Sequence, residues 1–361
     1  MHIPLITGFP GFISSQIIGE LIQQKKVETL YVVVLATQLK LAKELAKELI
    51  AESPRVQIHI IVGDITLPNM GMSIEDLQKV RHHVTIVWHL AALYDLAVPR
   101  EAAWRVNVHG TQMVNDFIRT LPELKRYMYF STAYVAGKRE GILHETELIR
   151  PKSFKNYYEE TKFEAEILVE KIKPIIPTTI IRPGIARGHS VTGETSKFDG
   201  PYFFINMIDR LSKLPIIPYV GKSKSFINVV PIDFITKSAV YSSESEMAAG
   251  KTLHLTDPSP HPVEEVYRQM VFTVTGKYPK GRLPLSLAKV GLQMKMLRRK
   301  LGVERETLDY LTWSAHFDTK VADEVLQDSG IECVDFILSL PAMINFYQHH
   351  KKEDKYHIQI K

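Results

Sequence analysis

The chain has 361 residues, 45% of them hydrophobic and 24% charged, with a net charge of +5 from 45 basic and 40 acidic side chains. That is ordinary for a globular protein with a full core, and the basic excess is too thinly spread to indicate nucleic acid. A single cysteine, Cys333, excludes an intramolecular disulfide and points to a reducing compartment, the cytoplasm. No apolar run nears the roughly 18–20 residues of a membrane span, and the opening MHIPLITG lacks the basic stretch of a signal peptide.

In chain order, the first half alternates short β-rich runs with helical patterns. Strands are predicted over 3–7, 30–35, 56–62, 84–90, 127–131 and 177–182. Helices are predicted at FISSQIIGELIQQ, directly after the first strand, and over 40–52, 104–119 and 157–171. The strands are nearly continuous apolar runs, as in a sheet buried on both faces. The expected fold class is α/β, a doubly wound parallel sheet of Rossmann-like type with a smaller, mostly helical C-terminal substrate lobe. Residues 184–221 turn rich in Gly, Pro, Ser and aromatics. Residues 229–239 and 252–256 are expected to return to the main sheet, and helical patterns dominate from 258. The expected division is a dinucleotide-binding domain over 1–183 with returning elements near 229–256, a substrate-binding lobe over 184–228 and 257–345, and a tail over 346–361. The tail's end, KKEDKYHIQIK, is expected to be solvated and frayed.

Thr7-Gly8-Phe9-Pro10-Gly11-Phe12-Ile13-Ser14 follows the first strand and opens the first helix, the context in which a glycine turn binds a dinucleotide. Gly8 permits the tight turn and Gly11 the approach of a pyrophosphate. Ser14 stands where a third glycine lets the helix sit close to the strand. Its hydroxyl is able to bond back to helix carbonyls. Pro10 lacks an N–H at a helix start, where such groups are unpaired anyway. The second strand ends Val34-Leu35-Ala36-Thr37-Gln38, with Lys40 beyond and no Asp or Glu to hold a ribose 2′-hydroxyl. That favours NADP(H) over NAD(H), although no arginine stands there for a 2′-phosphate.

Tyr158 and Lys162 are four residues apart and share a helix face. An ammonium beside a phenol favours the phenolate, and a tyrosine tuned this way passes a proton near neutral pH. A solvated helix face is the plainer reading of such a pair in isolation. Tyr157 has the wrong spacing and is expected to pack. Upstream, Tyr129-Phe130-Ser131-Thr132 ends the fifth strand, and substrates sit outside the carboxyl ends of such strands, although capping a strand is the commoner use of such hydroxyls.

Taken together these stretches resemble the extended short-chain dehydrogenase/reductases. Gly63-Asp64-Ile65-Thr66 resembles the segment whose Asp contacts adenine. His89-Leu90-Ala91-Ala92 resembles the stretch under the ribose and nicotinamide, Asn107-Val108-His109-Gly110-Thr111 the family's helix motif, and Arg182-Pro183-Gly184 the turn lining the nicotinamide. Ser131 to Val135, with Tyr158-Glu159-Glu160-Thr161-Lys162 and the stretch 228–233, resembles the fatty acyl-CoA reductase and thioester reductase branch. The resemblance implies that Thr132 bonds the substrate carbonyl, that Tyr158 is the acid/base, and that Lys162 holds the nicotinamide ribose and tunes Tyr158. It implies cofactor contacts at Thr7, Gly8, Phe9, Pro10, Gly11, Phe12, Ile13, Asp64, Ile65, Leu90, Ala91, Ala92, Asn107, Tyr158, Lys162, Arg182, Pro183 and Gly184. The implied reaction is hydride transfer to a carbonyl or acyl thioester, the substrate being a small carbonyl compound, acyl-CoA or an acyl carrier protein. A homodimer is common in the family. Two alternatives stand beside it: a nucleotide-sugar epimerase or dehydratase holding NAD tightly, and a non-catalytic dinucleotide-binding regulator. The complete Thr132, Tyr158 and Lys162 set argues against the regulator.

Late in the chain Leu287, Val290, Met294, Leu297 and Leu301 recur at helical spacing, with Lys289, Lys295, Arg298, Arg299 and Lys300 around them. One basic amphipathic helix is expected, either burying its apolar face in the lobe or meeting an acyl chain, a phosphopantetheine carrier or a membrane surface. The stretch from Asp199 to Phe204 lines a substrate pocket or fills the lobe core. The 14 histidines show no metal-ligand spacing.

Overall fold

The computed structural model describes residues 2–94, 98–302, 310 and 313–358. The first half runs β1 (Pro4–Thr7), α1 (Phe12–Gln23), β2 (Thr29–Val34), α2 (Leu39–Leu49), β3 (Gln57–Val62), α3 (Ile74–His83), β4 (Ile86–His89) and α4 (Arg100–Ala103). α4 continues through a π-helical turn, Trp104–His109, into α5 (Gly110–Ile118). Then come β5 (Arg126–Phe130), β6 (Gly141–Leu143), α6 (Tyr157–Glu170), β7 (Thr178–Pro183) and β8 (Ile185–Arg187). The later elements are α7 (Tyr202–Leu211), β9 (Tyr219–Val220), β10 (Val229–Pro231), α8 (Ile232–Glu244), β11 (Thr252–Leu255) and α9 (Val263–Thr275). They end with β12 (Arg282–Leu283), α10 (Leu285–Gly291), α11 (Lys295–Leu301), β13 (Ala315–Phe317), α12 (Lys320–Leu326) and α13 (Phe336–His350).

Seven strands pair in parallel in the order β3-β2-β1-β4-β5-β7-β11. The strand order reverses between β1 and β4, which opens a crevice at their carboxyl ends. Successive residues feed opposite cores, as a two-faced sheet requires. Leu5, Val33, Val87 and Tyr129 face α3, α5 and α6, while Ile6, Val32, Trp88 and Met128 face α1, α2, α8 and α12. All six predicted strands are present, and among the described residues no helix is long and apolar enough to cross a membrane.

Three expectations for the second half change. Residues 252–255 do join the main sheet, as the edge strand β11, but Val229–Pro231 pairs with β8 in a separate two-stranded sheet, and the residues after it form α8. The amphipathic helix over 287–301 is two short helices. Gly291 closes the first, and the Arg298 guanidinium takes up the freed carbonyls of Leu292 (2.9 Å) and Gln293 (3.2 Å), so Leu287, Val290 and Met294 stay exposed. The tail is docked, not frayed, over its described part, residues 359–361 lying outside the described residues. Phe198 is enclosed by Tyr202, Tyr347 and Tyr356 at ring separations of 5.3, 5.0 and 5.1 Å, and its N–H donates to the Tyr356 carbonyl at 2.8 Å. The aromatics of the terminal segment thus complete the core that α7, α9 and α13 share.

Phe198→Ala is expected to cost about 3–5 kcal/mol in urea unfolding and to expose the segment after α13 to protease in the folded protein. A cost below about 1 kcal/mol with unchanged proteolysis would contradict the docking.

Candidate active site

The glycine turn is built by close approach. Gly8 has φ +94°, and a side chain there would stand 2.8 Å from the Ala91 nitrogen and 2.9 Å from the Leu90 carbonyl carbon. Gly11 closes the turn by donating its N–H to the Gly8 carbonyl at 2.8 Å, and it offers α1 no capping side chain. The first amides of α1 and its positive dipole end therefore remain available to an anion. Ser14 does what its position suggested: its hydroxyl lies 2.9 Å from both the Gly8 and Gly11 carbonyls. Thr7 ties the turn to β4, its hydroxyl meeting His89 Nδ1 at 2.8 Å and accepting from the Ala91 N–H at 3.3 Å. Leu90, Ala91 and Ala92 follow β4 half-buried, beside the turn. The turn is packed so closely on its own backbone and on Leu90 and Ala91 that only glycine fits at 8 and 11, and its unpaired first amides suit a dinucleotide pyrophosphate.

Several residues named for cofactor contact also have partners within the protein. Phe9 is 1% exposed and belongs to the core on the α1 side, so only its backbone borders the turn. Ile65 packs on Gly110, and Asp64 accepts the Thr66 N–H at 2.8 Å. Asn107, 1% exposed on the π-helical turn, bonds the Leu93 N–H (2.7 Å) and carbonyl (3.0 Å) and donates to the Thr161 hydroxyl (2.9 Å). It positions the loop after β4 and has no polar atom left over. Arg182 is 3% exposed and spends its guanidinium on Glu166 (2.9 Å), His254 (3.2 Å) and the Glu147 carbonyl (2.9 Å). Pro183 is buried in β7, and Gly184 is glycine because a side chain would stand 2.6 Å from Asn228 Oδ1.

Thr132, Tyr158 and Lys162 come together at the carboxyl end of β5. Thr132 caps the turn 133–136, its hydroxyl accepting the Tyr134 N–H at 3.3 Å, and the same hydroxyl favours the ionised form of the Tyr158 phenol. Asn156 caps α6 through the Glu159 N–H at 2.9 Å, which sets Tyr158 in the first turn. Tyr157 points outward, exposed, and is not a packing residue. Burial pushes the Tyr158 hydroxyl up to about 12, with the Thr132 hydroxyl pulling the other way. The lowering expected from Lys162 is not found, because its ammonium is turned to β5. Lys162, 3% exposed, points at β5 and donates to the Phe130 carbonyl (2.6 Å) and the Tyr129 hydroxyl (3.0 Å). Burial brings its ammonium down to about 7, opposed by Glu166 one turn further along α6.

Sequence reasoning missed the supports of this set. Ser131 donates to Glu166, which Arg182 neutralises. Thr111 meets His89 Nε2 at 3.0 Å and Thr7 meets its Nδ1, while the His89 ring packs against Tyr129 with centroids 5.6 Å apart, so buried polar groups run from Lys162 to Thr7. The one available signal was spacing: Tyr158, Lys162 and Glu166 repeat every four residues.

A glycine turn at the β1–β4 reversal and a Thr-Tyr-Lys set at the end of β5 define an extended short-chain dehydrogenase/reductase-like, dinucleotide-binding protein. Residues 6–239 match the NAD-binding family described as "Male sterility protein", and the chain belongs to that family. NAD(P) binding follows at the level of the family. Among its relatives is the fatty acyl-CoA reductase wat of Drosophila melanogaster, 26% identical over 282 residues, 68% of this chain and 54% of that protein. The chain thus spans about half the length of that reductase. The terminal R domain of the myxalamid PKS-NRPS pathway shares the fold, with TM-score 0.83 and 23% identity over 97% of this chain and 91% of that one. So does a thiolation-reductase di-domain from an archaeal non-ribosomal peptide synthetase, with TM-score 0.73 and 17% identity over 97% of this chain and 76% of that one.

Two outcomes are expected. Gly8→Ala should weaken NADPH binding at least about tenfold in a fluorescence titration, because a left-handed alanine costs about 1–2 kcal/mol before any clash. Unchanged affinity would contradict the cradle. Burial holds His89 at about 3, well under the usual value. The unfolded chain therefore takes up a proton near pH 6.5 that the folded one refuses, and stability falls as pH drops from there toward 3. His89→Asn should shrink the difference in unfolding free energy between about pH 7.5 and 5.5 by roughly 1.4 kcal/mol. An equal difference in both proteins would show that His89 does not stay neutral.

Proposed function

We propose that this protein reduces an acyl thioester with NADPH, the acyl group arriving on coenzyme A or on a carrier protein. The observation that carries the reading is the convergence of Thr132, Tyr158 and Lys162 beside the glycine turn, at the carboxyl ends of β1, β4 and β5. The names of its relatives and neighbours, a fatty acyl-CoA reductase and a thiolation-reductase di-domain, support the substrate class. The absence of Asp or Glu from 34–38, with Thr37, Gln38 and Lys40 in their place, supports NADPH over NADH. The substrate enters between the dinucleotide-binding domain and the helical lobe over 184–228 and 257–345. A reducing compartment, the cytoplasm, suits a chain whose lone cysteine is half-buried.

Bound NADPH would supply the hydride. Thr132 and Tyr158 hold the substrate oxygen where negative charge develops, in a site largely shielded from water. Collapse of the tetrahedral adduct breaks the C–S bond and leaves an aldehyde and a thiolate, which takes a proton from solvent to become the thiol. A second round on the aldehyde gives an alcohol, with Tyr158 donating the proton to the alkoxide. Lys162 keeps the floor of the site in place through β5 and orients the nicotinamide ribose. The high pKa of Tyr158 suits a donor that must arrive protonated.

Tyr158→Phe is expected to lower kcat by about 10²–10⁴-fold, read as NADPH oxidation with long-chain acyl-CoA, a fatty aldehyde and a hydrophobic ketone, while NADPH affinity stays within about threefold. Wild-type inactivity with the whole panel, together with NAD carried through purification, would replace this reading with the epimerase one.

A further inference from the structure

A second charged cluster lies just before Tyr158 and takes no part in the chemistry above. Lys155 and Glu159 are one turn apart, and their side chains are 3% and 0% exposed, with Nζ 3.5 Å from the Glu159 carboxylate. The ammonium donates to the Gly137 carbonyl at 2.6 Å. It also lies 3.6 Å from the centre of the Trp313 ring, 5.2 Å from that of Tyr310 and 5.8 Å from that of Tyr134. Burying a cation this deeply is unfavourable unless charge, hydrogen bond and aromatic faces are all supplied, and here all three are. Glu159 is completed by the Tyr310 hydroxyl at 2.8 Å and by the Lys155 N–H at 3.0 Å. Trp313 is fixed in turn by donating its indole N–H to the Arg139 carbonyl at 2.8 Å.

The cluster joins three separate pieces of chain. Gly137 closes the turn that Thr132 caps. Lys155, Asn156 and Glu159 surround the start of α6, where Tyr158 sits. Tyr310 and Trp313 come from the segment before β13, and that segment is held to the same turn by the pairing of β13 with β6. Thr132 and Tyr158 are 26 positions apart in the chain, and no strand pairing sets their separation. The Lys155–Gly137 bond ties their two carriers directly. We propose that Lys155 is a positioning residue: its caged ammonium clamps the Thr132 turn to the first turn of α6 and so fixes the Thr132–Tyr158 geometry.

The kinetic half of the test rests on the reductase reading, and the structural half does not. Lys155→Met keeps the stem and removes the charge. Lys155→Met/Glu159→Gln also removes the carboxylate left unpaired, which separates the clamp from a general loss of stability. In the full-length protein the single variant should lower kcat about tenfold or more with NADPH affinity unchanged, since small misplacements are costly at a reacting centre. The double variant should recover the melting temperature but not kcat. Hydrogen–deuterium exchange of peptides covering 132–137 and 156–162 should quicken in both variants, and that of the β1–α1 peptide should not. Wild-type kcat in the single variant, or kcat returning together with melting temperature in the double one, would overturn the proposal. Unchanged exchange in those two peptides would overturn it as well, even if no thioester is turned over and the reductase reading has itself failed.

Discussion

An ammonium group with almost no access to water is the constraint from which the site follows. Lys162 sits under the end of the sheet, and a cation there is tolerated only if its donors are met and its charge is offset. The Phe130 carbonyl and Tyr129 hydroxyl meet the donors, and Glu166 supplies the charge. Glu166 is itself buried and needs Arg182 and Ser131, while Arg182 needs His254 and the Glu147 carbonyl. Each requirement recruits the next, until β5, β7, β11 and α6 are joined behind the Thr132–Tyr158 pair. In the other direction Tyr129 packs against His89, which with Thr111 and Thr7 carries buried polar contacts to the glycine turn. Buried polar groups thus run from the glycine turn to Lys162, one helical turn from Tyr158.

Burial also shapes the chemistry. It moves Tyr158 up to about 12 and Lys162 down to about 7, so both are pushed toward their neutral forms. In the proposed reaction a neutral phenol, with the Thr132 hydroxyl as a second donor, offers a proton to an oxygen gaining charge. That polarity suits reduction of a carbonyl more directly than removal of a proton from an alcohol.

Much of this was legible in the sequence, for reasons that can be named. Strands buried on both faces must be continuous apolar runs, so the alternation of 30–35, 84–90 and 127–131 with helical patterns gives the sheet away. The Gly8–Ser14 turn and the Tyr158–Lys162 pair are local, and local spacing survives folding. What a motif does not carry is the direction in which a side chain points. Asn107 and Arg182 occupy the positions the resemblance implies, yet both are fully engaged by the protein. Partners far apart in the chain were equally hidden: nothing near Lys155 announces Trp313, and nothing near Phe198 announces Tyr356. Apolar spacing over 287–301 did not specify one helix, because Gly291 and the Arg298 guanidinium close the chain midway.

The central claim is that a reducing equivalent leaves NADPH and stays on the carbon that Thr132 and Tyr158 hold. The most direct measurement is a single turnover with NADPH carrying deuterium at the transferable position, with the acyl-derived product analysed by mass spectrometry. The account predicts an aldehyde or alcohol bearing deuterium on the former carbonyl carbon and a stoichiometric release of thiol. Product without deuterium, or a cofactor recovered unchanged in redox state after turnover, would contradict it.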